Sequence, residues 1–290
     1  MSRILITGKT GQVGYELERS LQGLGEIIAL DRSQMDLADL DQVRDVIRHI
    51  KPTLIVNPAA YTAVDKAESE PELALRINGE APGVMAEEAK KLGAAMIHYS
   101  TDYVFDGSKD GPYVETDATC PINVYGSSKL AGEQAIQAAG IPHLILRTSW
   151  VYSTHGKNFL LTMLLLAKER EELSIVSDQF GAPTWSRTIA DTTAHIVAQS
   201  LAASDQQAWW QARSGLYHLT AQGRTSWFGF TEAIMAHPSV TKKPILKMIL
   251  AQDYPVPAKR PVNSVLSSQR LMDTFCSIPD WQGALRLCQN

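Results

Sequence analysis

The sequence predicts an α/β fold in which a doubly wound parallel sheet is followed by a smaller C-terminal substrate-binding lobe. Short apolar runs typical of buried strands alternate with helical stretches along the first 150 residues, and this repetition implies a parallel sheet with helices on both faces. The first apolar run leads into a glycine-rich turn that opens a helix. A strand, a glycine-rich turn and a helix in that order are typical of the Rossmann-type dinucleotide-binding fold.

The predicted elements follow one another along the first half of the chain. Pro52 breaks the second helix, Pro71 suits the first turn of the third, and Gly140 ends the fourth. After about residue 150 prolines and aromatic residues become frequent, so residues 1–150 are predicted to form the dinucleotide-binding domain. Residues 151–290 are predicted to form mainly the substrate lobe, with some segments returning to the first domain. Strands are predicted at residues 4–6, 26–30, 54–56, 95–99 and 143–146, and helices at 12–24, 40–50, 72–92 and 124–138.

Composition excludes several classes of protein. The 290 residues are 44% hydrophobic and 20% charged, which is an ordinary globular balance. The net charge of -4 weighs against a nucleic-acid partner, and no apolar run reaches the roughly 18 residues of a membrane helix. Three widely separated cysteines fit neither a metal-binding spacing nor a disulfide framework. With no signal region at the N-terminus, a cytoplasmic protein is expected.

The glycine-rich turn reads GKTGQVG, and its Gly-Lys-Thr start looks like the end of a nucleoside-triphosphate-binding P-loop. That motif requires a further glycine five positions earlier, where this chain has Arg3. The spacing of Gly8, Gly11 and Gly14 instead suits a dinucleotide. Gly8 permits a tight turn, Gly11 lets the backbone approach a pyrophosphate at the helix N-terminus, and Gly14 lets the helix pack closely on the strand.

The second predicted strand ends in Asp31, which is followed at once by Arg32. An acidic residue about 20 residues after the glycines is placed to bond an adenosine ribose hydroxyl, as NAD requires. An arginine at this place can accommodate the 2′-phosphate of NADP. The two signals compete, so the sequence predicts NADPH or NADH as cofactor without choosing between them.

A group suited to carbonyl chemistry follows the fourth predicted strand. Tyr125 and Lys129 are four residues apart on a predicted helix, so their side chains share one face. A free tyrosine has a pKa of about 10, and a nearby ammonium lowers it, so we expect Lys129 to lower the pKa of Tyr125. Thr101, at the end of the fourth strand, can hydrogen-bond a carbonyl oxygen and stabilise its developing charge. With a hydride donor, these groups suit carbonyl reduction.

Seven stretches of the chain together resemble the extended short-chain dehydrogenase/reductase family, and within it the enzymes that act on nucleotide-linked keto sugars. They are GKTGQVG, AAYTAVDKAESEP, HYSTDYVFDG, VYGSSKLAGE, RTSWVY, DQFGAPT and PAKRPVNS. The resemblance implies a dTDP-sugar substrate, with NADPH or NADH reducing the 4-keto group of dTDP-4-dehydro-L-rhamnose.

The resemblance also assigns roles to individual residues. It implies that Tyr125 is the proton donor, that Lys129 tunes it and binds cofactor, and that Thr101 assists at the carbonyl. The implied cofactor contacts are Gly11, Gln12, Val13, Asp31, Asp36, Leu37, Ala60, Tyr61 and Thr62. The implied or expected substrate contacts are Thr101, Asp102, Trp150, Gln179, Thr184 and Arg260.

One departure from the resemblance concerns assembly. Some relatives are thought to form homodimers bridged by a divalent metal on acidic residues, and Glu16 matches one such position. The segment expected to supply further acids reads Trp185-Ser186-Arg187-Thr188, with none before Asp191. A homodimer remains open, and a metal-bridged dimer is not expected.

Other functions remain open at this stage. Sugar-nucleotide 4,6-dehydratases look similar to this chain, but their pattern at the end of the fourth strand is Thr-Asp-Glu, where this chain has Thr101-Asp102-Tyr103. The tyrosine in place of the acid argues against dehydration. Another nucleotide-sugar reductase or a 4-epimerase would use much the same residues. The chain also resembles a non-catalytic, NADP-binding regulatory subunit of methionine adenosyltransferase, which would have a stable protein partner.

Overall fold

The structure is a computed structural model that describes residues 2–290. Strands and helices alternate through the first half of the chain as predicted. A turn of π-helix joins α4 to α5, and a turn of 3₁₀-helix follows β4. The elements are β1 (Arg3–Ile6), α1 (Gln12–Ser20), β2 (Glu26–Ala29), α2 (Leu40–Ile50), β3 (Leu54–Asn57), α3 (Val64–Ala67), α4 (Pro71–Leu75), α5 (Ala81–Leu92), β4 (Ala95–Thr101), α6 (Val124–Ala139) and β5 (His143–Thr148).

The second half contains shorter strands and several helices, as its looser sequence pattern suggested. Its elements are β6 (Val151–Tyr152), α7 (Phe159–Glu169), β7 (Glu172–Val176), β8 (Phe180–Gly181), β9 (Thr184–Trp185), α8 (Ser186–Ala202), α9 (Gln206–Arg213), β10 (Gly215–His218), β11 (Thr225–Ser226), α10 (Trp227–Ala236), β12 (Ile245–Ile249), α11 (Gln269–Thr274) and α12 (Trp281–Gln289).

The central sheet has the order β10-β5-β4-β3-β1-β2, and every neighbouring pair in it is parallel. The predicted α/β class with a parallel sheet is therefore confirmed. From β1 the chain adds β2 on one side and then returns to add β3 on the other. This reversal opens a crevice at the carboxyl ends of β1 and β3, which is where ligands bind in open α/β sheets.

Alternation along the strands gives the sheet two apolar faces. Ile4, Ile6 and Val56 point to the face covered by α1 and α8, whereas Leu5 and Ile55 point to the face covered by α2, α5 and α6. Both β10 and α8 lie beyond residue 150, so the second half of the chain completes the sheet and one of its helical layers.

The remaining elements of the second half enclose a core of their own. Tyr152, Leu160, Phe230, Ile234 and Leu285 are buried together in it, away from the central sheet. The parallel pair β7 and β12 lies along this part of the molecule. We refer to these elements, with the loops that join them, as the second lobe.

The predicted helix over residues 72–92 is interrupted in its middle. The π-helical turn spans Arg76–Glu80 and separates α4 from α5. A Cβ atom on Gly132 of α6 would lie only 2.2 Å from the carbonyl oxygen of Asn78. The turn thus brings its backbone into direct contact with α6, an approach that only glycine permits.

A buried carboxylate ties α5 to α2. The Glu88 side chain is 1% exposed, and it accepts hydrogen bonds from Arg48 at 2.9 Å and from Lys91 at 2.7 Å. The Arg48 guanidinium is the main cause that lowers the pKa of Glu88 to about 2. Because this pKa is lower in the folded chain, the stabilisation is present above the ordinary value of 4.5 and is lost as the pH falls towards 2.

We expect Glu88→Gln to lower the free energy of unfolding by about 2 kcal/mol at neutral pH, because a buried charge-assisted pair is lost. The difference from the wild type should shrink as the pH falls below 4.5, which urea unfolding at several pH values measures. The control is Glu87→Gln, because Glu87 is 57% exposed in its pair with Arg44. This substitution should lower the free energy of unfolding by under about 1 kcal/mol. Equal costs for the two variants would show that burial adds nothing to the contribution of Glu88.

Candidate active site

The predicted site residues converge at the carboxyl edge of the sheet, around the crevice between β1 and β3. The glycine turn follows β1, the loop of Ala60 follows β3, and Thr101 ends β4. Tyr125 and Lys129 reach the same edge from α6, whose N-terminus is capped by Asn123 through a hydrogen bond from the Gly126 N–H. The sheet topology therefore gathers residues that lie far apart in sequence.

The glycine turn has the close backbone approaches expected of a pyrophosphate-binding turn. Gly8 adopts a left-handed φ of +59°, and a Cβ atom there would lie 2.9 Å from the Ala59 Cβ. A Cβ atom on Gly14 would lie 2.2 Å from the Gly8 carbonyl oxygen. Gly11 caps α1 without a side-chain hydrogen bond, so the helix N-terminus keeps free N–H groups for an anion. The buried Gln12 Oε1 has no partner within residues 2–290 and is a further polar atom at this turn.

Two other residues named for the cofactor have side chains packed into the protein core. Val13 packs against the apolar cluster on the α1 face, and Leu37 is buried in the cluster on the opposite face. Any contact they make with a cofactor is therefore through their backbone or the edge of the side chain.

Charges of both signs follow β2. The Asp31 carboxylate accepts hydrogen bonds from the Ser33 hydroxyl at 2.6 Å and the Ser33 N–H at 2.9 Å. These bonds are the main reason that the pKa of Asp31 is lowered, with Lys9 adding to the effect. Lys9 Nζ lies 3.7 Å from Asp31, while the exposed Arg32 pairs with Asp36 at 3.2 Å. An ionised acceptor and two cations thus share the region expected to meet the adenosine ribose.

The loop after β3 is held by a residue that sequence reasoning missed. Asn78, 1% exposed in the π-helical turn, accepts from the Tyr61 N–H at 2.8 Å and donates to the Tyr61 carbonyl at 3.1 Å. It also donates to the Ser128 hydroxyl on α6. The Tyr61 hydroxyl donates to Glu70, so both the backbone and the side chain of this loop residue are fixed within the protein. The Asn-Gly pair inside a helical stretch was the signal in the sequence that could have identified it.

The pKa of Tyr125 is shifted in the direction opposite to the one expected. Burial raises its pKa to about 12, although a hydrogen bond with Thr101 acts in the opposite direction. The Lys129 ammonium does not lower this pKa, because Nζ is directed to the Tyr99 carbonyl at 2.6 Å. The phenol is therefore protonated at neutral pH, which is the form a proton donor needs.

Lys129 is 2% exposed, and its Nζ lies 3.2 Å from His98 Nε2. Burial lowers its pKa to about 8, whereas Glu133 one turn further along α6 acts to raise it. Glu133 is itself held by Arg147 in a two-pronged pair at 2.9 and 2.7 Å.

The end of β4 carries a second buried acid. Thr101 donates to Asp102 Oδ1 at 3.0 Å, and Oδ2 of Asp102 is buried with no partner among the residues described. Burial raises the pKa of Asp102 to about 7, although the hydrogen bond from Thr101 acts to lower it. A buried carboxyl group with one free oxygen at the site is well placed to meet a polar ligand group.

Trp150 lies at the border between the sheet and the second lobe. Its ring stacks on Trp227 with centroids 3.5 Å apart, and a Cβ atom on Gly181 would lie 2.5 Å from the indole. The backbone of Trp150 has a left-handed φ of 48°, a conformation that costs free energy in a non-glycine residue and often occurs at functional sites. Only the remaining exposed part of the indole can meet a ligand.

The three loop residues expected to contact substrate differ in their burial and in their hydrogen-bond partners. Arg260 donates to Asp65 at 2.8 Å and so joins the second lobe to the segment after β3. Gln179 is partly exposed beside β8. Thr184 is 0% exposed; its hydroxyl donates to the Ala182 carbonyl and accepts from the Ala221 N–H. Both hydrogen bonds of its hydroxyl are made within the protein, so the buried Thr184 side chain is not available to a substrate.

The second lobe also reaches back to the glycine turn. His155 Nε2 lies 3.3 Å from the Thr10 carbonyl oxygen, and the His155 ring stacks on Tyr15 with centroids 4.0 Å apart. The loop after β6 therefore rests on the first turn of α1, next to the expected cofactor site.

The acidic side chains considered as metal ligands form ion pairs with an arginine of the same chain. Arg187 lies 3.9 Å from Glu16 and 3.4 Å from Asp191. Within residues 2–290 no group of three or more His, Cys, Asp or Glu side chains is placed to hold a metal ion. In the same part of the chain, no helix is both long and apolar enough to cross a membrane.

Comparisons with known proteins agree with this geometry. The chain matches the family described as RmlD substrate binding domain over residues 1–290. It is 50% identical to a dTDP-4-dehydrorhamnose reductase of Burkholderia thailandensis, over 99% of this chain and 97% of that protein. It is 47% identical to the protein of the same name from Escherichia coli K12, with the same coverage. The crystal structure of the Bacillus anthracis dTDP-4-dehydrorhamnose reductase in complex with NADP has a TM-score of 0.91 at 34% identity, over 100% of this chain and 99% of that one.

The charges after β2 generate a prediction about cofactor choice. We expect Asp31→Ala to weaken NADH binding about tenfold, because a charged acceptor for the ribose hydroxyls is lost. NADPH binding should be unchanged, because Lys9 and Arg32 remain to meet the 2′-phosphate. Titration of nicotinamide fluorescence measures both affinities, with the nearby exposed acid variant Asp41→Ala as control. Equal weakening of both cofactors would show that Asp31 does not distinguish them.

Proposed function

Because the chain belongs to the family of the dTDP-4-dehydrorhamnose reductases, we propose that it reduces the 4-keto group of dTDP-4-dehydro-L-rhamnose. The product is dTDP-L-rhamnose, a precursor of cell-surface polysaccharide. The hydride donor is NADPH or NADH, which the glycine turn after β1 is shaped to hold, and a relative of 34% identity has a structure in complex with NADP.

One observation of the structure carries the proposal. Thr101 at the end of β4 and Tyr125 on the first turn of α6 lie together beside the crevice at the carboxyl ends of β1 and β3, because α6 packs on β4 and on the 3₁₀ turn that follows Thr101. Lys129 lies one helical turn from Tyr125 on the same face of α6. A hydroxyl that polarises a carbonyl and a protonated phenol that donates to it are the groups that carbonyl reduction needs.

The residues act at the carbonyl as follows. When bound, a reduced nicotinamide supplies the hydride that reduces C4 of the sugar. Tyr125 gives its phenolic proton to the C4 oxygen as negative charge develops there, and so becomes a phenolate. The Thr101 hydroxyl turns its proton from Asp102 to the same oxygen and donates a hydrogen bond there. Lys129 would hold the cofactor ribose, and the phenolate then regains a proton from solvent. The net change adds a hydride to carbon and a proton to oxygen.

The sugar nucleotide binds between the sheet edge and the second lobe. Asp102 and the exposed part of Trp150 border the position of the sugar, because they lie next to Thr101 and β8 respectively. Arg260 and Gln179 extend from there along the second lobe and suit the diphosphate and base, since a guanidinium matches phosphate geometry. Residues 151–290 thus supply most of the substrate lobe, while β10 and α8 serve the dinucleotide domain.

We place this reaction in the cytoplasm. Cys120, Cys276 and Cys288 are all free thiols in the structure, as is usual in a reducing compartment.

The deciding experiment follows the absorbance of the reduced nicotinamide with enzymatically generated dTDP-4-dehydro-L-rhamnose, using NADPH and NADH separately. Oxidation that requires both the protein and the sugar nucleotide is expected. UDP- and GDP-linked 4-keto sugars serve as controls for the nucleotide. A folded protein that binds NADPH but oxidises it with none of these sugars would overturn the proposal in favour of a non-catalytic role.

Removal of the proton donor provides a second prediction. Tyr125→Phe should lower kcat by about 10² to 10⁴-fold, the usual contribution of general acid catalysis, while the Kd of NADPH stays nearly constant. Tyr113→Phe is the matched control, since Tyr113 is buried against Phe105 and bonds Asp106 away from the site. Full activity in Tyr125→Phe would assign the proton to another group.

A further inference from the structure

Building on the proposed function, we propose that His98 is a positioning residue that holds the Nζ atom of Lys129 whether the lysine is an ammonium ion or a neutral amine. His98 lies on β4 and is 1% exposed. It is buried beneath α6 and lies behind the reacting groups, so its effect on the reaction passes through Lys129.

Strand register places His98 in a row of polar side chains. Asn57 at the end of β3 is the direct cross-strand partner of His98, and Thr7 follows directly after β1 beside Asn57. The row continues the face on which Leu5, Ile55 and Met96 are buried. Three polar residues therefore end an otherwise apolar surface where α6 covers the sheet.

These side chains form one continuous chain of hydrogen bonds. The Ala59 N–H donates to Thr7 Oγ1 at 3.3 Å, and the Thr7 hydroxyl donates to Asn57 Oδ1 at 2.6 Å. Asn57 Nδ2 lies 3.0 Å from His98 Nδ1, and His98 Nε2 lies 3.2 Å from Lys129 Nζ. The loop after β3, which borders the cofactor crevice, is thereby connected to the lysine on α6.

The direction of the chain follows from what each group can donate. Since Thr7 already accepts from Ala59, its own proton goes to Asn57 Oδ1, which leaves the Asn57 amide N–H to donate to His98 Nδ1. In this arrangement His98 carries its proton on Nε2 and donates to the lone pair of a neutral Lys129. If the Asn57 amide rotates and the imidazole proton moves to Nδ1, the hydrogen bonds from Asn57 to Lys129 run in the opposite direction. His98 Nε2 then accepts from the Lys129 ammonium.

The other contact of Lys129 lacks this versatility. The Tyr99 carbonyl oxygen can only accept, so it serves an N–H of either form and cannot meet the amine lone pair. Burial lowers the pKa of Lys129 to about 8, so both forms are populated near neutral pH. The pKa of His98 is held well below its ordinary range by burial and by Lys129. The ring thus stays neutral and keeps one donor and one acceptor.

The charged and titratable groups around Lys129 do not replace His98. Glu133 shares the inner face of α6, but both its oxygens are taken by Arg147 of β5. Tyr125 lies one turn away on the same helix, and its ring packs against Tyr103. Asp102, in the 3₁₀ turn after β4, accepts from Thr101. Among the residues described, His98 is the side chain within hydrogen-bond distance of Nζ.

Two substitutions separate the contacts of the imidazole. His98→Gln places an amide near the position of Nε2, so it retains the contact with Lys129 and loses that with Asn57. His98→Asn places an amide near Nδ1, so it retains Asn57 and loses Lys129. Both remove the ring and leave a neutral polar side chain of similar burial, which makes them matched variants.

We expect His98→Asn to lower kcat about tenfold and to raise the Kd of NADPH by a similar factor, the effect of one lost hydrogen bond to an ionisable group. His98→Gln should stay within about threefold of the wild type in both, and the KM of the sugar nucleotide should change in neither. His218→Leu is the control for loss of a buried histidine, since His218 on β10 is 0% exposed and neither ring nitrogen has a partner in the chain described.

Several outcomes would overturn the assignment. Equal losses in the Asn and Gln variants, or a greater loss in Gln, would show that His98 acts through Asn57 or through packing. Thermal unfolding of each variant identifies losses that come from misfolding alone. A wild type that binds NADPH but reduces no sugar would refute the proposed function, and the NADPH affinities of the two variants would still test the contact with Lys129.

Discussion

The structure depends on the burial of a polar helix face against the sheet. Tyr125, Lys129 and Glu133 recur every four residues on α6 and point inward, where an unpaired charge would cost several kcal/mol. Glu133 is satisfied by a two-pronged pair with Arg147 in which both side chains are at most 3% exposed. Lys129 is satisfied by the Tyr99 carbonyl and by His98. Any shift of α6 along the sheet would break these bonds together, so the helix has a single register and Tyr125 a single position.

Close backbone contacts make this register attainable. A Cβ atom on Gly126 would lie 2.1 Å from the Tyr103 carbonyl oxygen, and one on Gly132 would lie 2.2 Å from that of Asn78. Both glycines lie on α6, so the helix can approach the 3₁₀ turn after β4 near its N-terminus and the π-helical turn near its middle. The π-helical turn in turn presents Asn78 to the backbone of Tyr61. The same packing that satisfies buried charges therefore shapes the loop that borders the cofactor crevice.

The second lobe is attached to this centre at several points. Arg260 pairs with Asp65, the Lys259 carbonyl accepts from Asn123 at the start of α6, and His155 rests on the glycine turn. Each contact joins a loop of the second lobe to a segment that borders the crevice. Because these contacts hold Asp65, the N-terminus of α6 and the glycine turn, the second lobe positions the segments that shape the site in addition to enclosing it.

The sequence by itself determined the features that depend on local spacing. The glycine turn, the parallel sheet implied by alternating strands and helices, and the shared face of Tyr125 and Lys129 all follow from periodicity and from steric limits at glycine. Tertiary structure decided the features that depend on which segments become neighbours. The row of Thr7, Asn57 and His98 arises only from strand register, and the hydroxyl of Thr184 is consumed only because β9 is buried. The pKa of Tyr125 is raised, against expectation, because the phenol is buried and the Nζ atom of Lys129 is held by the Tyr99 carbonyl on β4. Local spacing places two side chains on one face of a helix, but their environment is set by distant parts of the chain that fold around them.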